Sequence, residues 1–243
     1  MSTGAEPRIA ILGAGPIGLE AALAAHECGC EFTVYEAGQG PGANVRDWGH
    51  VRLFTPWDMN VSERMRRALP AAPTGSALPT GTELAEQLIE PLAALPAIAP
   101  WIRVGARVDA VAREGLLKHE EIASPERSAR RFRLLVSDAA GHETVEHADA
   151  VIDCTGTYGN PNSLGDGGIP APGERALGER IERRLPRFDD EPRAWARGTI
   201  LLTGAGHSAQ TAARALAELA REAPEMRVIW AIRSNDPTWG AVD

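Results

Sequence analysis

Two stretches of the chain share one pattern of apolar and polar positions. In the first, a short apolar run at residues 8–12 ends in glycine, small residues follow over 16–26, and a second apolar run occupies 32–35. Short continuous apolar runs are typical of strands buried on both faces of a parallel sheet. The pattern therefore predicts a strand–helix–strand unit. It recurs near the other end of the chain, where we predict strands over 199–202 and 227–232 around a helix over 207–222.

The stretch between these two units predicts a change of architecture. Residues 36–56 are rich in Gly, Pro and Asn, which indicates a long functional loop. Helices are predicted over 62–69 and 82–95, the second opened by a threonine. A buried strand over 148–154 is expected to return to the parallel sheet. Short strands separated by polar turns predict a small antiparallel excursion, formed by 101–104, 107–113, 131–137 and 143–147.

Charge and cysteine content narrow the class of protein. The chain has 25 basic and 33 acidic residues and a net charge of −8, which argues against a nucleic-acid partner or an anionic membrane surface. Its three cysteines, Cys28, Cys30 and Cys154, form neither a disulfide framework nor a C-x-x-C pair. We therefore expect a cytoplasmic protein that acts on a small molecule, without a structural metal. A homodimer stays open.

The first candidate site is the G-x-G-x-x-G of residues 13–18, between a predicted strand and a predicted helix. In such a turn Gly13 allows the sharp bend, Gly15 lets the backbone approach a pyrophosphate, and Gly18 allows close packing of helix and strand. The phosphates lie at the helix N-terminus. Glu36 ends the second strand, where an acid can bond ribose hydroxyls. These residues predict a dinucleotide site, against the alternative of a glycine turn in a cofactor-free α/β protein.

The second candidate site repeats this logic with a different polarity. Gly204 and Gly206 follow a predicted strand, and Ser208 and Ala209 begin the predicted helix. The following strand ends near Arg233 and carries no acid there. An arginine at that position can pair with a 2′-phosphate, which favours NADPH over NADH. The alternative is that Arg233 is only a solvated strand end.

Several segments together carry a resemblance to a known family. Residues 36–42 are similar to an E-x-G…G-G segment, 51–56 to R-L-x-T-P, 60–65 to N-x-S-K-E-M, 153–158 to A-T-G-x-Y, and 204–209 to G-x-G-x-S-A. With both glycine turns, these segments make the chain resemble the flavoproteins that have two dinucleotide-binding domains. Among these it is similar to the flavin-containing monooxygenases and their bacterial relatives.

The resemblance implies an α/β fold and two cofactors. A Rossmann-like FAD-binding domain, a parallel sheet with a small antiparallel excursion, is expected over 1–198. The start of a second Rossmann-like, NAD(P)-binding domain is expected over 199–243, to be completed by a C-terminal portion. Hydride would pass from NADPH to the flavin, followed by oxygen activation, with Asn60 beside the flavin and nicotinamide as the catalytic residue. The cofactor-binding residues would be Gly13, Gly15, Pro16, Gly18, Glu36, Ala37, Gly42, Thr155, Gly156, Gly204, Gly206, Ser208, Ala209 and Arg233.

One segment departs from the family. The monooxygenases carry an F-x-G-x-x-x-H segment between the A-T-G strand and the second glycine turn, whereas residues 173–180 read G-E-R-A-L-G-E-R. This departure keeps two alternatives open. One is a flavin-dependent dehydrogenase or reductase that inserts no oxygen. The other is a non-catalytic protein that holds FAD as a remnant or sensor.

Overall fold

The computed structural model describes residues 7–188, 190 and 192–233. The chain divides into two compact units, with one ending at Gly159 and the other beginning at Asn160. The boundary expected after residue 198 stays a prediction. In the described residues the strands are β1 (Arg8–Leu12), β2 (Glu31–Glu36), β3 (Ile102–Val104), β4 (Arg107–Arg113), β5 (Phe132–Ser137), β6 (Glu143–Ala148), β7 (Ala150–Asp153), β8 (Thr199–Thr203) and β9 (Arg227–Ala231).

The first unit is built on a four-stranded parallel sheet with the order β3–β2–β1–β7. The predicted strand over 148–154 is confirmed as β7, which returns to pair with β1. The prediction for 101–104 is wrong in one respect, because Ile102 pairs in parallel with Val34 of β2 and not within the antiparallel sheet. A short apolar run indicates a strand but carries no information about its partner. The three strands β4–β5–β6 do form the predicted antiparallel excursion.

The helices vary widely in length. The predicted loop over 36–56 contains one short helix, which its Gly, Pro and Asn content did not indicate. The predicted helix over 82–95 opens earlier, on an N-cap at Thr80, and contains a π-helical turn at Ala85–Ile89. Pro91 lacks an N–H and crowds the carbonyl four residues earlier, which explains the widened turn. The α-helices are α1 (Pro16–Glu27), α2 (Ala43–Asp47), α3 (Trp57–Asn60), α4 (Glu63–Ala68), α5 (Gly81–Leu84), α6 (Glu90–Ala93), α7 (Pro125–Ala129), α8 (Glu174–Leu177), α9 (Pro192–Trp195) and α10 (His207–Glu222).

The two faces of the parallel sheet bury different partners. Ile11 and Val34 lie on one face and pack against the helical layer that includes Leu19 of α1. Leu12 and Tyr35, the next residues along each strand, lie on the other face and pack against the antiparallel sheet. Alternation along β1 and β2 therefore supplies both cores, as expected for strands covered on both faces.

The second unit holds the predicted strand–helix–strand element. Strands β8 and β9 pair in parallel, with Thr199 opposite Arg227 and Thr203 opposite Ala231. The helix α10 buries Ala212 and Leu216 against one face of this pair. Leu201 and Ile229 lie on the opposite face and are exposed. Across residues 7–188, 190 and 192–233, no helix combines the length and apolar character needed to cross a membrane.

Candidate dinucleotide-binding sites

The first glycine turn requires glycine at two positions for reasons of packing. Gly13 has φ +97°, and its backbone N–H donates to the Tyr35 carbonyl at 2.7 Å. A Cβ on Gly13 would lie 2.9 Å from the Cys154 carbonyl oxygen, and a Cβ on Gly18 would lie 1.9 Å from the Gly13 carbonyl oxygen. Contacts this short require backbone movement, so Gly13 and Gly18 bring strand, turn and helix together.

Gly15 differs from both, because a Cβ there would meet no protein atom within 4 Å. Gly15 is the N-cap of α1, Pro16 occupies the first turn, and among the described residues no side chain caps this end or places an acid in its first turn. The first free N–H groups, of Ile17 and Gly18, are therefore available to an anion. A glycine with open space before an uncapped helix N-terminus fits a bound pyrophosphate. The donor set here suits FAD.

The Glu36 carboxylate is held against this turn by backbone hydrogen bonds. One oxygen accepts from the Ala14 N–H and the other from the Gly38 N–H, each at 2.8 Å, and the residue is only 9% exposed. The Gly42 N–H donates to the Ala14 carbonyl at 3.0 Å. Residues 36–42, which include Ala37, therefore contact the glycine turn at both the N–H and the carbonyl of Ala14. Each Glu36 oxygen keeps acceptor capacity for a ribose hydroxyl.

The end of β7 completes the edge of this site. The Cys154 N–H donates to the Leu12 carbonyl at 2.9 Å. Thr155 donates through its N–H and its hydroxyl to one Asp153 oxygen, at 3.0 and 2.7 Å. These bonds hold the pKa of the Asp153 carboxyl below its usual value. Gly156 follows with φ +67° and open space at its Cβ position. Burial, and then the Asp153 charge, raise the pKa of the Cys154 thiol, which disfavours a reactive thiolate.

Asn60 lies at the end of α3, and no hydrogen bond joins its described side chain to the glycine turn. Its amide nitrogen donates to the carbonyls of Thr55 and Pro56 at 2.8 and 2.9 Å, and its oxygen accepts from the Thr55 hydroxyl at 2.9 Å. The connection to α1 is made two residues later, where the Ser62 hydroxyl donates to Glu20 at 2.7 Å.

The second glycine turn, in the other unit, has the same backbone design. The Gly204 N–H donates to the Ala231 carbonyl at 3.0 Å, and Gly204 has φ +100°. Gly206 is the N-cap of α10, no described side chain caps it, and a Cβ there would meet open space. The Trp230 indole N–H donates to the Gly204 carbonyl at 2.7 Å. This N-terminus can also receive an anion, with Ser208 and Ala209 in the first turn of α10.

Each turn contains an equivalent backbone hydrogen bond, and these two bonds align the turns residue by residue. Because Gly13 bonds Tyr35 and Gly204 bonds Ala231, Ile232 occupies the position of Glu36, and Arg233 follows it. The second turn therefore has a neutral side chain where the first has a carboxylate. Arg233 is exposed.

The structure thus brings the predicted residues together in two groups. The first unit gathers the glycine turn of 13–18, Glu36 to Gly42, and Thr155 with Gly156. The second holds the turn of 204–209 and Arg233. Sequence reasoning missed the hydrogen bond between the Ser62 hydroxyl and the Glu20 carboxylate. An acid on α1 and a serine before α4 were visible in the sequence, but their proximity depends on tertiary packing.

Comparisons with known proteins support the fold described above. The family profile of the pyridine nucleotide-disulphide oxidoreductases matches residues 8–46, which cover the first glycine turn, α1, β2 and the loop that follows. Solved flavoenzyme structures match almost the whole chain. The chain has the fold of the FAD- and NAD(P)-binding oxidoreductases. The predicted fold class is confirmed.

Three of these structures illustrate the range of activities on this fold. Bacillithiol disulfide reductase Bdr from Bacillus cereus is 17% identical, with a TM-score of 0.69, and the match covers 96% of this chain and 60% of that one. DfoA bound to FAD, a cadaverine monooxygenase from Erwinia amylovora, is 15% identical, with a TM-score of 0.66 and coverage of 97% and 53%. The flavin-containing monooxygenase from Stenotrophomonas maltophilia is 20% identical, with a TM-score of 0.59 and coverage of 98% and 61%.

The chain therefore spans little more than half the length of these three proteins. At these identities the likeness concerns the fold, and reductases and monooxygenases share it. A comparison with curated protein sequences found no significant match.

Proposed function

We propose that the chain binds FAD in its first unit and NADPH in its second, and that it belongs to an oxidoreductase with monooxygenase-like chemistry. The observation that carries this proposal is the pair of aligned glycine turns that differ in charge at the following strand end. Glu36 stands at the first strand end, and Ile232 and Arg233 stand at the second.

The first unit offers groups for the pyrophosphate and for the ribose in the adenosine diphosphate half of FAD. The helix N-terminus of α1 binds the pyrophosphate, Gly15 leaves room for it, and the Glu36 carboxylate accepts from ribose hydroxyls. The chemistry supplied by a bound flavin is acceptance of a hydride and passage of its electrons to oxygen or another acceptor. The protein orients the cofactor through a turn that Glu36 already holds rigid by bonds to Ala14 and Gly38.

The second unit supports a preference for NADPH. A carboxylate at the position of Ile232 would repel a 2′-phosphate, and the aliphatic side chain removes that repulsion. The exposed guanidinium of Arg233 lies one residue further and can pair with the phosphate through charge-assisted hydrogen bonds.

A reductase or dehydrogenase that inserts no oxygen is the second candidate function. The observation that favours it is the stretch 173–180, which lacks the Phe and His of the monooxygenase segment. In its place Glu174 is buried, accepts from the Leu164 and Ala171 N–H groups, and forms an ion pair with Arg183 at 2.7 Å. Glu174 therefore has a structural role, since it joins neighbouring segments of the chain. A reductase mechanism based on thiol–disulfide exchange gains no support, because the three cysteines of this chain form no C-x-x-C pair.

An anaerobic titration tests the proposal. The protein is loaded with FAD, and the visible flavin absorbance is followed while NADPH or NADH is added. We expect the absorbance to bleach with NADPH at lower concentration than with NADH. Reoxidation in air then separates the two enzymatic candidates, since an oxygenated product supports the monooxygenase and hydrogen peroxide alone supports the reductase. A protein that holds FAD but bleaches with neither nucleotide would contradict both and leave the sensor alternative.

A further inference from the structure

The segment from Thr55 to Asn60 is a short loop closed on itself by the Asn60 side chain. It contains α3, a single helical turn that begins after the N-cap Pro56. One turn of helix has little stability of its own. The Asn60 amide bonds back to Thr55 and Pro56 through three hydrogen bonds of 2.8 to 2.9 Å.

The chemistry of the partners fixes the orientation of this amide. The carbonyl oxygens of Thr55 and Pro56 can only accept, so both must face the –NH₂ group of Asn60. The Thr55 hydroxyl then donates to the amide oxygen. Both amide hydrogens of Asn60 are therefore consumed inside the loop. The side chain keeps one acceptor lone pair and has no donor left for a ligand.

Buried side chains also anchor the loop in the core. Trp57, Val61 and Met65 follow one another at a spacing of four residues and are at most 6% exposed, so they hold the segment in the core. Phe54 and Met59, each next to one end of the amide contact, are 63% and 72% exposed. These two exposed side chains therefore add little to the anchoring of the loop.

We propose that Asn60 is a positioning residue, and that it acts with Thr55 as a clasp that holds the 55–60 loop in shape within the FAD-binding unit. This proposal rests on the proposed FAD function, but it assigns Asn60 a different role from the catalytic one that the family resemblance implies. Thr55 is the second member of this clasp. A residue that contacts the cofactor directly would act without Thr55, whereas the two halves of a clasp act as one unit.

The test compares Thr55→Val, Asn60→Ala, the double variant and the conservative Thr55→Ser. Thr144→Val is the control for loss of a threonine hydroxyl that donates a hydrogen bond elsewhere, since the Thr144 hydroxyl donates to the Val136 carbonyl in the antiparallel sheet. Hydrogen exchange of the backbone amides over 57–61 is measured on the protein without flavin. The dissociation constant of FAD is then measured for each variant.

If the clasp exists, Thr55→Val, which removes one of the three hydrogen bonds, speeds exchange over 57–61 by about three- to tenfold. Asn60→Ala removes all three and speeds exchange at least as much. The double variant is no faster than the faster single variant, Thr55→Ser restores the wild-type rate, and Thr144→Val leaves it unchanged. The FAD dissociation constants follow the same order. Asn60→Ala weakening FAD binding while Thr55→Val behaves like wild type would overturn the proposal and indicate direct contact. A protein that binds no FAD would refute the proposed function, and the exchange rates would still decide the clasp.

Discussion

Replacing Gly15 and Gly18 by alanine should separate cofactor binding from folding within one turn of chain. The added methyl of Gly18→Ala would stand 1.9 Å from the Gly13 carbonyl oxygen, whereas that of Gly15→Ala would meet nothing within 4 Å. Gly18→Ala is therefore expected to lower the stability of the protein, and Gly15→Ala to weaken ligand binding.

The magnitudes follow from these contacts. Overpacking typically costs about 1–3 kcal/mol, and a Cβ 1.9 Å from a backbone carbonyl oxygen belongs at the upper end of this range. Alanine regains up to about 1 kcal/mol inside a helix, so Gly18→Ala should lower the free energy of unfolding by about 2 kcal/mol. At Gly15, alanine is the poorer N-cap by up to about 1 kcal/mol, and restriction of the unfolded chain offsets about 0.4–1 kcal/mol of this. Gly15→Ala should therefore leave stability nearly unchanged. It should raise the FAD dissociation constant by at least about tenfold, because its methyl stands where the pyrophosphate must approach.

The assay pairs urea unfolding of the flavin-free protein with a fluorescence titration of FAD. Gly159→Ala is the matched control, since its Cβ also meets open space and its φ is not in the left-handed region. It should change neither quantity. Gly15→Ala with wild-type FAD affinity would refute the placement of the pyrophosphate, and Gly18→Ala with wild-type stability would refute the packing argument.

Three further predictions concern charged residues. Glu36→Gln loses one of two hydrogen bonds to backbone N–H groups, so we expect a free energy of unfolding about 1.5–3 kcal/mol lower by urea titration and at least about tenfold weaker FAD binding. Asp138→Ala, which also removes a carboxylate that accepts from two backbone N–H groups, should leave FAD affinity unchanged. Equal losses of affinity in the two variants would argue against a ribose contact. Arg233→Ala should reduce a preference for NADPH over NADH by about tenfold or more in an anaerobic titration, and an unaltered preference would show that this arginine is only a solvated strand end. The Arg183 guanidinium, and to a lesser degree two backbone N–H groups, hold the pKa of the Glu174 carboxyl below its usual value. The stabilisation that the ionised Glu174 provides is therefore present above a pH of about 4.3 and is lost as the pH falls through the lowered folded-state pKa. Glu174→Gln should flatten this part of the stability–pH profile, and an identical profile in the variant would contradict the assignment.

The elements that sequence reasoning placed correctly are those whose signals are local. The first strand, the glycine turn and α1 were predicted to within a residue because an apolar run, glycines and small residues at helical spacing follow one another directly. The second strand–helix–strand element was predicted equally well, and α10 ends at Glu222, as the sequence pattern indicates. Alternation, capping and turn chemistry act over a few residues and can be read from one chain.

What could not be predicted depends on contacts between distant residues. The apolar run of β3 was recognised, yet its pairing with Val34 required knowledge of the sheet order. The hydrogen bonds of the Asn60 side chain to Thr55 and Pro56 were also not predicted, because they depend on the backbone path of the 55–60 loop. The carboxylate of Glu36 was placed correctly, but its bonds to Ala14 and Gly38 depend on how the following loop folds back.

Equilibrium titration of the flavin-free protein with FAD and with FMN tests the central claim most directly. FMN lacks the adenosine half, so it cannot use the ribose contact of Glu36 or place a pyrophosphate at the N-terminus of α1. We expect FAD to bind saturably at one site in the first unit, and FMN to bind at least about tenfold more weakly, the scale of one lost charge-assisted contact. No saturable binding of FAD, or equal affinities for the two flavins, would contradict the assignment of the first glycine turn.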